Sequence, residues 1–273
     1  MLITRIATAG VLLGLFVSAL YFLPNAWWTA LLLPMLLAAS WEWTALAGMK
    51  GGSRWAFVAL VLASALGIWL IVSTAAPGGG RPTSAEILIY GASGVFWLFI
   101  AVPWLVRGWP VRSPLPLAAT GWILLVPTWL ALARLQPEPE RLLAVMGIIW
   151  LADIAAYFTG RAWGRHKLAP DISPSKTWEG VTGAVVAVAV YYVALGNVAR
   201  DWTGLQSAVG AALFAGVMLM SVVGDLFESW IKRQAGMKDS GTLLPGHGGI
   251  LDRIDSMTSS LPLAALVLPC LVS

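Results

Sequence analysis

The chain has 273 residues, of which 59% are hydrophobic and 11% charged, with a mean hydropathy of +0.80 and a formal charge of +4. A soluble domain carries about 25% charged residues, so this composition excludes an ordinary soluble globular protein and indicates a polytopic membrane protein. The positive charge reads as loop asymmetry, not as a nucleic-acid signal.

Apolar runs of about 20 residues, each long enough to cross a bilayer, recur along the chain. They predict nine transmembrane helices, at roughly 3–23, 26–48, 55–76, 85–107, 115–135, 141–160, 179–199, 207–231 and 256–273. The expected fold class is all-α and polytopic, with a polar site at one membrane face. The first run, with Arg5 near its start, has the outline of a signal peptide. So many later runs make it a first span instead. Turn-like breaks fall at 24–25, 77–82, 112–116 and 136–139. The 16 Trp residues suit interfacial belts and helix packing alike. The single cysteine, Cys270, lies in the last run and excludes an intramolecular disulfide. Residues 1–140 read as an N-terminal transmembrane frame, and residues 141–273 as the catalytic region. Glu42, between Trp41 and Trp43 in the second span, has no partner that the sequence identifies.

Placing the N-terminus inside assigns thirteen of the 17 Lys and Arg residues to inner positions. The positive-inside rule then predicts a cytoplasmic N-terminus and an outer C-terminus. Loops 161–178 and 232–255 both fall on the cytoplasmic side, which argues that they share one site.

In the sixth span, Asp153 is followed at i+4 by Tyr157. In the loop after it, Arg161, Arg165 and Lys167 read first as topogenic charges. Lys176 and Thr177, in a Ser-Pro-Ser-Lys-Thr turn, are candidate ligands for phosphate or an anionic headgroup.

Near the end of the eighth span, Asp225, Glu228, Ser229 and Lys232 are spaced i, i+3, i+4, i+7 and share a helical face. A carboxylate inside a span costs about 3 kcal/mol on the insertion scale, so these groups face protein or a polar cavity. An internal salt bridge to Lys232 or Arg233 is the plain alternative to a catalytic role. Leu244 to Gly249 form a glycine-rich turn containing His247, Gly248 and Gly249, where backbone N–H groups can nest an anion. Asp252, Arg253 and Asp255 follow, and carboxylates there are also ordinary first-turn helix residues. Hard oxygen donors (Asp225, Asp252, Asp255) beside cations (Lys232, Arg233, Lys238, Arg253) suit Mg²⁺ carrying a nucleoside triphosphate. A secondary transporter also uses intramembrane carboxylates. Its polar groups would sit near the midplane, however, and no inverted repeat is visible here.

Ser229-x-x-Lys232-Arg233, Lys238-Asp239, the turn from Leu244 to Gly249, and Asp252-Arg253-x-Asp255-Ser256 together resemble the signature of phosphatidate cytidylyltransferases. The resemblance extends to Gly224-Asp225, to Ser173-Pro174-x-Lys176-Thr177-Trp178-Glu179-Gly180 and to Asp153-x-x-Ala156-Tyr157-x-x-Gly160-Arg161. It covers roughly residues 150–256, and the first 140 residues match only in apolar character. Ser175 departs from the family pattern, in which Lys is common at that position.

The resemblance implies transfer of CMP from CTP to phosphatidate, giving CDP-diacylglycerol and pyrophosphate. It also implies a Mg²⁺ requirement, residence in a bacterial inner membrane, and a homodimer. The implied metal ligands are Asp225 and Asp252, with Asp255 beside them. The expected catalytic set is Asp225, Lys232, Arg233, Asp252 and Asp255. The expected substrate-binding set is Asp153, Lys176, Thr177, Ser229, Lys238, His247, Gly248, Gly249 and Arg253. Three carboxylates also leave room for a second metal ion. A related enzyme acting on a prenyl-type lipid would share this loop, because the apolar spans choose the acceptor.

Overall fold

The computed structural model describes residues 2–75, 82–199, 207–243 and 248–271. The chain is helical almost throughout. Helix α1 (Leu2–Phe22) is followed by α2 (Asn25–Leu31) and α3 (Leu33–Leu46), which together make one pass interrupted at Leu32. The interruption coincides with Pro34 in the first turn of α3, since proline has no N–H for the preceding turn. Helix α4 (Gly52–Ala75) is continuous. The next pass consists of α5 (Ser84–Phe96), a π turn (Trp97–Ala101) and α6 (Val102–Arg107). Pro103 cannot donate to the Phe99 carbonyl, and the ladder widens just before it. Helices α7 (Pro114–Leu135) and α8 (Pro139–Trp163) follow, then α9 (Trp178–Val198), α10 (Ala208–Gln234) and α11 (Leu251–Leu271).

Seven of these passes, among the described residues, are long and apolar enough to cross a membrane. They correspond to the second through eighth expected spans. The first expected span coincides with α1. The ninth is α11, whose opening turns carry Asp252, Arg253 and Asp255 and which contains Pro262 and Pro269. Among the described residues, seven of the nine expected spans meet that length and apolarity, and α1 and α11 cover the first and ninth.

Helix α11 packs against α10, α7, α5 and α8, and α8 pairs closely with α9. Gly183 permits the α8–α9 approach, because a Cβ there would lie 2.2 Å from Thr159 Oγ1. Trp28, Trp43, Trp97 and Trp129 are fully buried. Three of them spend the indole N–H on a backbone carbonyl: Trp28 on Leu132 (3.0 Å), Trp43 on Leu117 (2.7 Å) and Trp97 on Thr258 (3.1 Å). These tryptophans are core residues, whereas Trp27, Trp55, Trp163 and Trp178 are exposed.

Away from the polar loops, Arg134 on α7 pairs with buried Glu86 on α5 at 2.7 Å. Glu86 also completes a capping box with Thr83. Gln136 donates to the Leu20 and Leu23 carbonyls at 3.0 and 2.9 Å, tying α7 to the end of α1.

The stretch 161–178, expected as a loop, contains an antiparallel hairpin of β1 (Lys167–Ala169) and β2 (Ser173–Thr177). Thr177 ends it by accepting from Gly180 N at 3.1 Å, which caps α9. His166 N and Nδ1 both contact Glu179, the latter at 2.7 Å.

Candidate active site

Aromatic packing sets the rotation of α10. Phe227 is fully buried, with its ring edge-to-face against Phe96, Trp97 and Trp104 at centroid distances of 5.7, 5.4 and 5.3 Å. Such contacts are directional. They turn the face bearing Asp225, Glu228, Ser229 and Lys232 toward α11 and the hairpin. Gly224 brings α11 close, because a Cβ there would lie 2.6 Å from the Asp255 carbonyl oxygen. Gly236, at φ +69°, supports the end of α10, and Met237 N bonds the Lys232 carbonyl at 2.8 Å.

Two lysines organise the charges. Lys176 Nζ, from β2, lies 2.5 Å from Asp225 Oδ2. Lys232 Nζ lies 2.6 Å from Asp252 Oδ1 and 3.2 Å from Glu228 Oε1. Ser229 Oγ donates to Asp225 Oδ1 at 3.3 Å. Asp255 accepts from Ser256 N at 2.7 Å and lies within Coulombic reach of Asp225, Lys232 and Lys176. Glu228 is 3% exposed, and neither of its oxygens has an aligned hydrogen-bond donor. The Lys232 contact is an ion pair alone.

Asp252 sits in the polar turn ahead of the apolar part of α11. Its Oδ2 accepts from Gly249 N (2.8 Å), Ser240 N (2.9 Å) and Ser240 Oγ (3.0 Å). Burial raises the pKa of this carboxyl, but the Lys232, Gly249 and Ser240 bonds outweigh burial and hold it below the usual range. Gly248 has φ +85°, a conformation that favours glycine. A Cβ on it would also lie 2.8 Å from Asp252 Oδ2.

Beside this network opens a cleft of about 450 Å³, lined by Asp153, Tyr157, Arg161, Lys176, Val222 and Asp225 among others. Arg161, read from sequence as topogenic, donates to Tyr157 Oη at 3.0 Å on the cleft wall. The cleft is charged at Asp153, Lys176 and Asp225 and apolar at Ala156, Leu168, Val181 and Val222.

The structure thus gathers Asp153, Lys176, Asp225, Ser229, Lys232, Asp252 and Asp255, with Gly249 supporting Asp252. The other expected residues stand as follows in the fold. Arg233 is exposed and bonds the Ile172 and Met237 carbonyls at 3.3 and 3.4 Å. Thr177 lines the cleft beside Lys176 and is buried there as the cap of α9. Lys238 and Arg253 are exposed. His247, with Leu244 to Gly246, lies outside the described residues. Sequence reasoning missed Ser240, whose hydroxyl lies between two carboxylates, and the role of Glu42. Glu42 Oε2 is 3.1 Å from Ser240 Oγ.

Among the described residues, no three His, Cys, Asp or Glu side chains form a complete protein cage for a metal. Mg²⁺ on a triphosphate needs only one or two protein carboxylates. Asp225 and Asp255 fit that requirement in donor chemistry, whereas Asp252 already has four protein donors.

Residues 3–271 match the model of the cytidylyltransferase family. A phosphatidate cytidylyltransferase of Pseudomonas aeruginosa is 38% identical, over 98% of this chain and 97% of that protein. Proteins of the same name from Haemophilus influenzae and Brucella suis are 32% and 34% identical, each over 96% of this chain and over 96% and 92% of their own lengths. A match across almost the whole sequence, spanning every residue that lines the cleft, places this chain in the cytidylyltransferase family.

Proposed function

We propose that this protein is a phosphatidate cytidylyltransferase that makes CDP-diacylglycerol from CTP and phosphatidate. The observation that carries the reading is the cleft itself. Apolar side chains (Ala156, Leu168, Val181, Val222) line it together with the paired Lys176 and Asp225. That arrangement suits a lipid acceptor meeting a water-soluble phosphate donor.

In the proposed reaction, an unesterified phosphate oxygen of phosphatidate attacks the α-phosphorus of CTP. A new P–O bond forms, the α–β bridging P–O bond breaks, and pyrophosphate leaves with the electron pair. The nucleophile is already anionic at neutral pH, so the site needs charge compensation and alignment more than a general base. Lys176 and Lys232 supply positive charge where two anionic substrates approach. Ser229 orients Asp225 through its 3.3 Å bond, and Asp252 holds Lys232. Mg²⁺, held by Asp225 and Asp255 with nucleotide phosphates completing its shell, would supply further neutralisation when bound.

The proposal includes an inner-membrane location with the cleft facing the cytoplasm, in line with the charge asymmetry of the loops, and assembly as a homodimer. The test is purified protein in nanodiscs with labelled CTP, Mg²⁺ and phosphatidate. Labelled CDP-diacylglycerol that depends on both metal and phosphatidate is the expected product. Folded protein that ignores phosphatidate, or prefers a prenyl-type phosphate, overturns the reading.

A further inference from the structure

Glu42 lies on α3, in the N-terminal part of the chain, and is 7% exposed. A buried carboxylate in a membrane helix is costly unless donors converge on it. Three do, all from the far end of the sequence. Ile250 N donates to Oε1 at 3.0 Å, Leu251 N to Oε2 at 2.9 Å, and Ser240 Oγ lies 3.1 Å from Oε2. Ile250 and Leu251 carry N–H groups at the start of α11 that have no partner within the helix. Glu42 therefore serves that helix as a cap supplied by another helix.

Two glycines make room for it. A Cβ on Gly249 would lie 2.5 Å from Glu42 Oε2, and one on Gly241 would lie 2.5 Å from Oε1. The contacts continue to the charged network. Ser240 Oγ is 3.0 Å from Asp252 Oδ2, and Asp252 Oδ1 is 2.6 Å from Lys232 Nζ. A hydroxyl has one hydrogen, so Ser240 bonds one carboxylate at a time and keeps the two in a fixed relation. Everything that locates Asp252 other than Lys232, namely Ser240 and Gly249, abuts Glu42 directly.

We propose that Glu42 is a positioning residue of the cytidylyl-transfer site, anchoring Ser240 and the 248–251 entry to α11 so that Asp252 holds the Lys232 ammonium in place. The inference rests on the reaction proposed above. Glu42 touches no substrate. It acts through Ser240, Asp252 and the first turn of α11.

The test compares wild type with Glu42→Gln, both monodisperse in nanodiscs. A glutamine offers one acceptor oxygen where two are used, so kcat falls about ten- to hundred-fold. The KM for phosphatidate stays within about twofold, because the lipid cleft is untouched. Amide exchange across 248–252 rises, while exchange in α7 and α8 does not. Gly249→Ala reproduces both effects, since its Cβ displaces the same carboxylate without altering its charge. If Glu42→Gln does not give monodisperse protein, Ser240→Ala carries the same kinetic expectation. A folded Glu42→Gln enzyme with wild-type kcat overturns the proposal, as does a loss that tracks only the folded fraction. If wild type itself transfers nothing to phosphatidate, the reaction is wrong, and the exchange comparison still decides whether Glu42 anchors the turn.

Discussion

The Lys176 ammonium and the Asp225 carboxylate meet at 2.5 Å, joining a hairpin between α8 and α9 to the middle of α10. The pair lines the cleft and ties β2 to α10. Asp225→Asn removes the negative charge while keeping the shape. Turnover is expected to fall roughly 10²–10³-fold, with normal membrane insertion and an unchanged size-exclusion profile. Near-normal turnover in folded protein would remove Asp225 from the catalytic machinery.

Lys232 is shared by Glu228 and Asp252, and its side chain is 10% exposed. Lys232→Met leaves two buried carboxylates without the cation between them. A loss of about 3–5 kcal/mol is expected, read as a lower melting temperature in detergent together with loss of activity. Adding Glu228→Gln should restore part of the stability and none of the activity. Full recovery of both would show that Lys232 has no role beyond neutralising Glu228.

Helices α8 and α9 carry most of the cleft, and Gly183 fixes their separation. A Cβ there would meet Thr159 Oγ1 at 2.2 Å and Thr159 Cγ2 at 2.4 Å. Gly183→Ala is expected to cost about 1–3 kcal/mol, and Thr159→Ala in the same protein should recover part of it. Thermal unfolding of the three variants checks the coupling. Strict additivity would mean the two residues do not share that space.

The Glu86–Arg134 pair joins α5 to α7. Glu86→Ala leaves Arg134 without its carboxylate partner in a buried setting, with an expected cost of about 3–5 kcal/mol. The surviving folded protein should keep a wild-type KM for CTP. A raised KM at unchanged stability would instead make this pair part of the site's own support.

Much of the site was legible in the sequence because it obeys local rules. The i, i+3, i+4, i+7 spacing brought Asp225, Glu228, Ser229 and Lys232 to one face, and the structure joins them in two pairs, Ser229–Asp225 and Lys232–Glu228. The hairpin was not legible. Five residues, Ser173 to Thr177, form a strand only by pairing with Lys167–Ala169, and they show no apolar alternation to reveal it. Arg233 follows Lys232 in sequence, but a step of about 100° along a helix turns it to the Ile172 carbonyl instead. Glu42 shows the clearest limit. Its burial made a partner necessary, but the partners are 198 to 209 positions away. No local pattern encodes that distance.

The same separation has a consequence for biogenesis. A ribosome adding about 5–20 residues per second needs roughly 10–40 s to pass from Glu42 to Ser240 and on to Leu251. During that interval α3 carries a carboxylate whose three donors have not yet been made. This corner of the helix bundle must stay open to water or headgroups until α11 arrives. The contacts linking Glu42, Ser240 and Asp252 are thus among the late ones to form, and a half-synthesised chain cannot assemble them early.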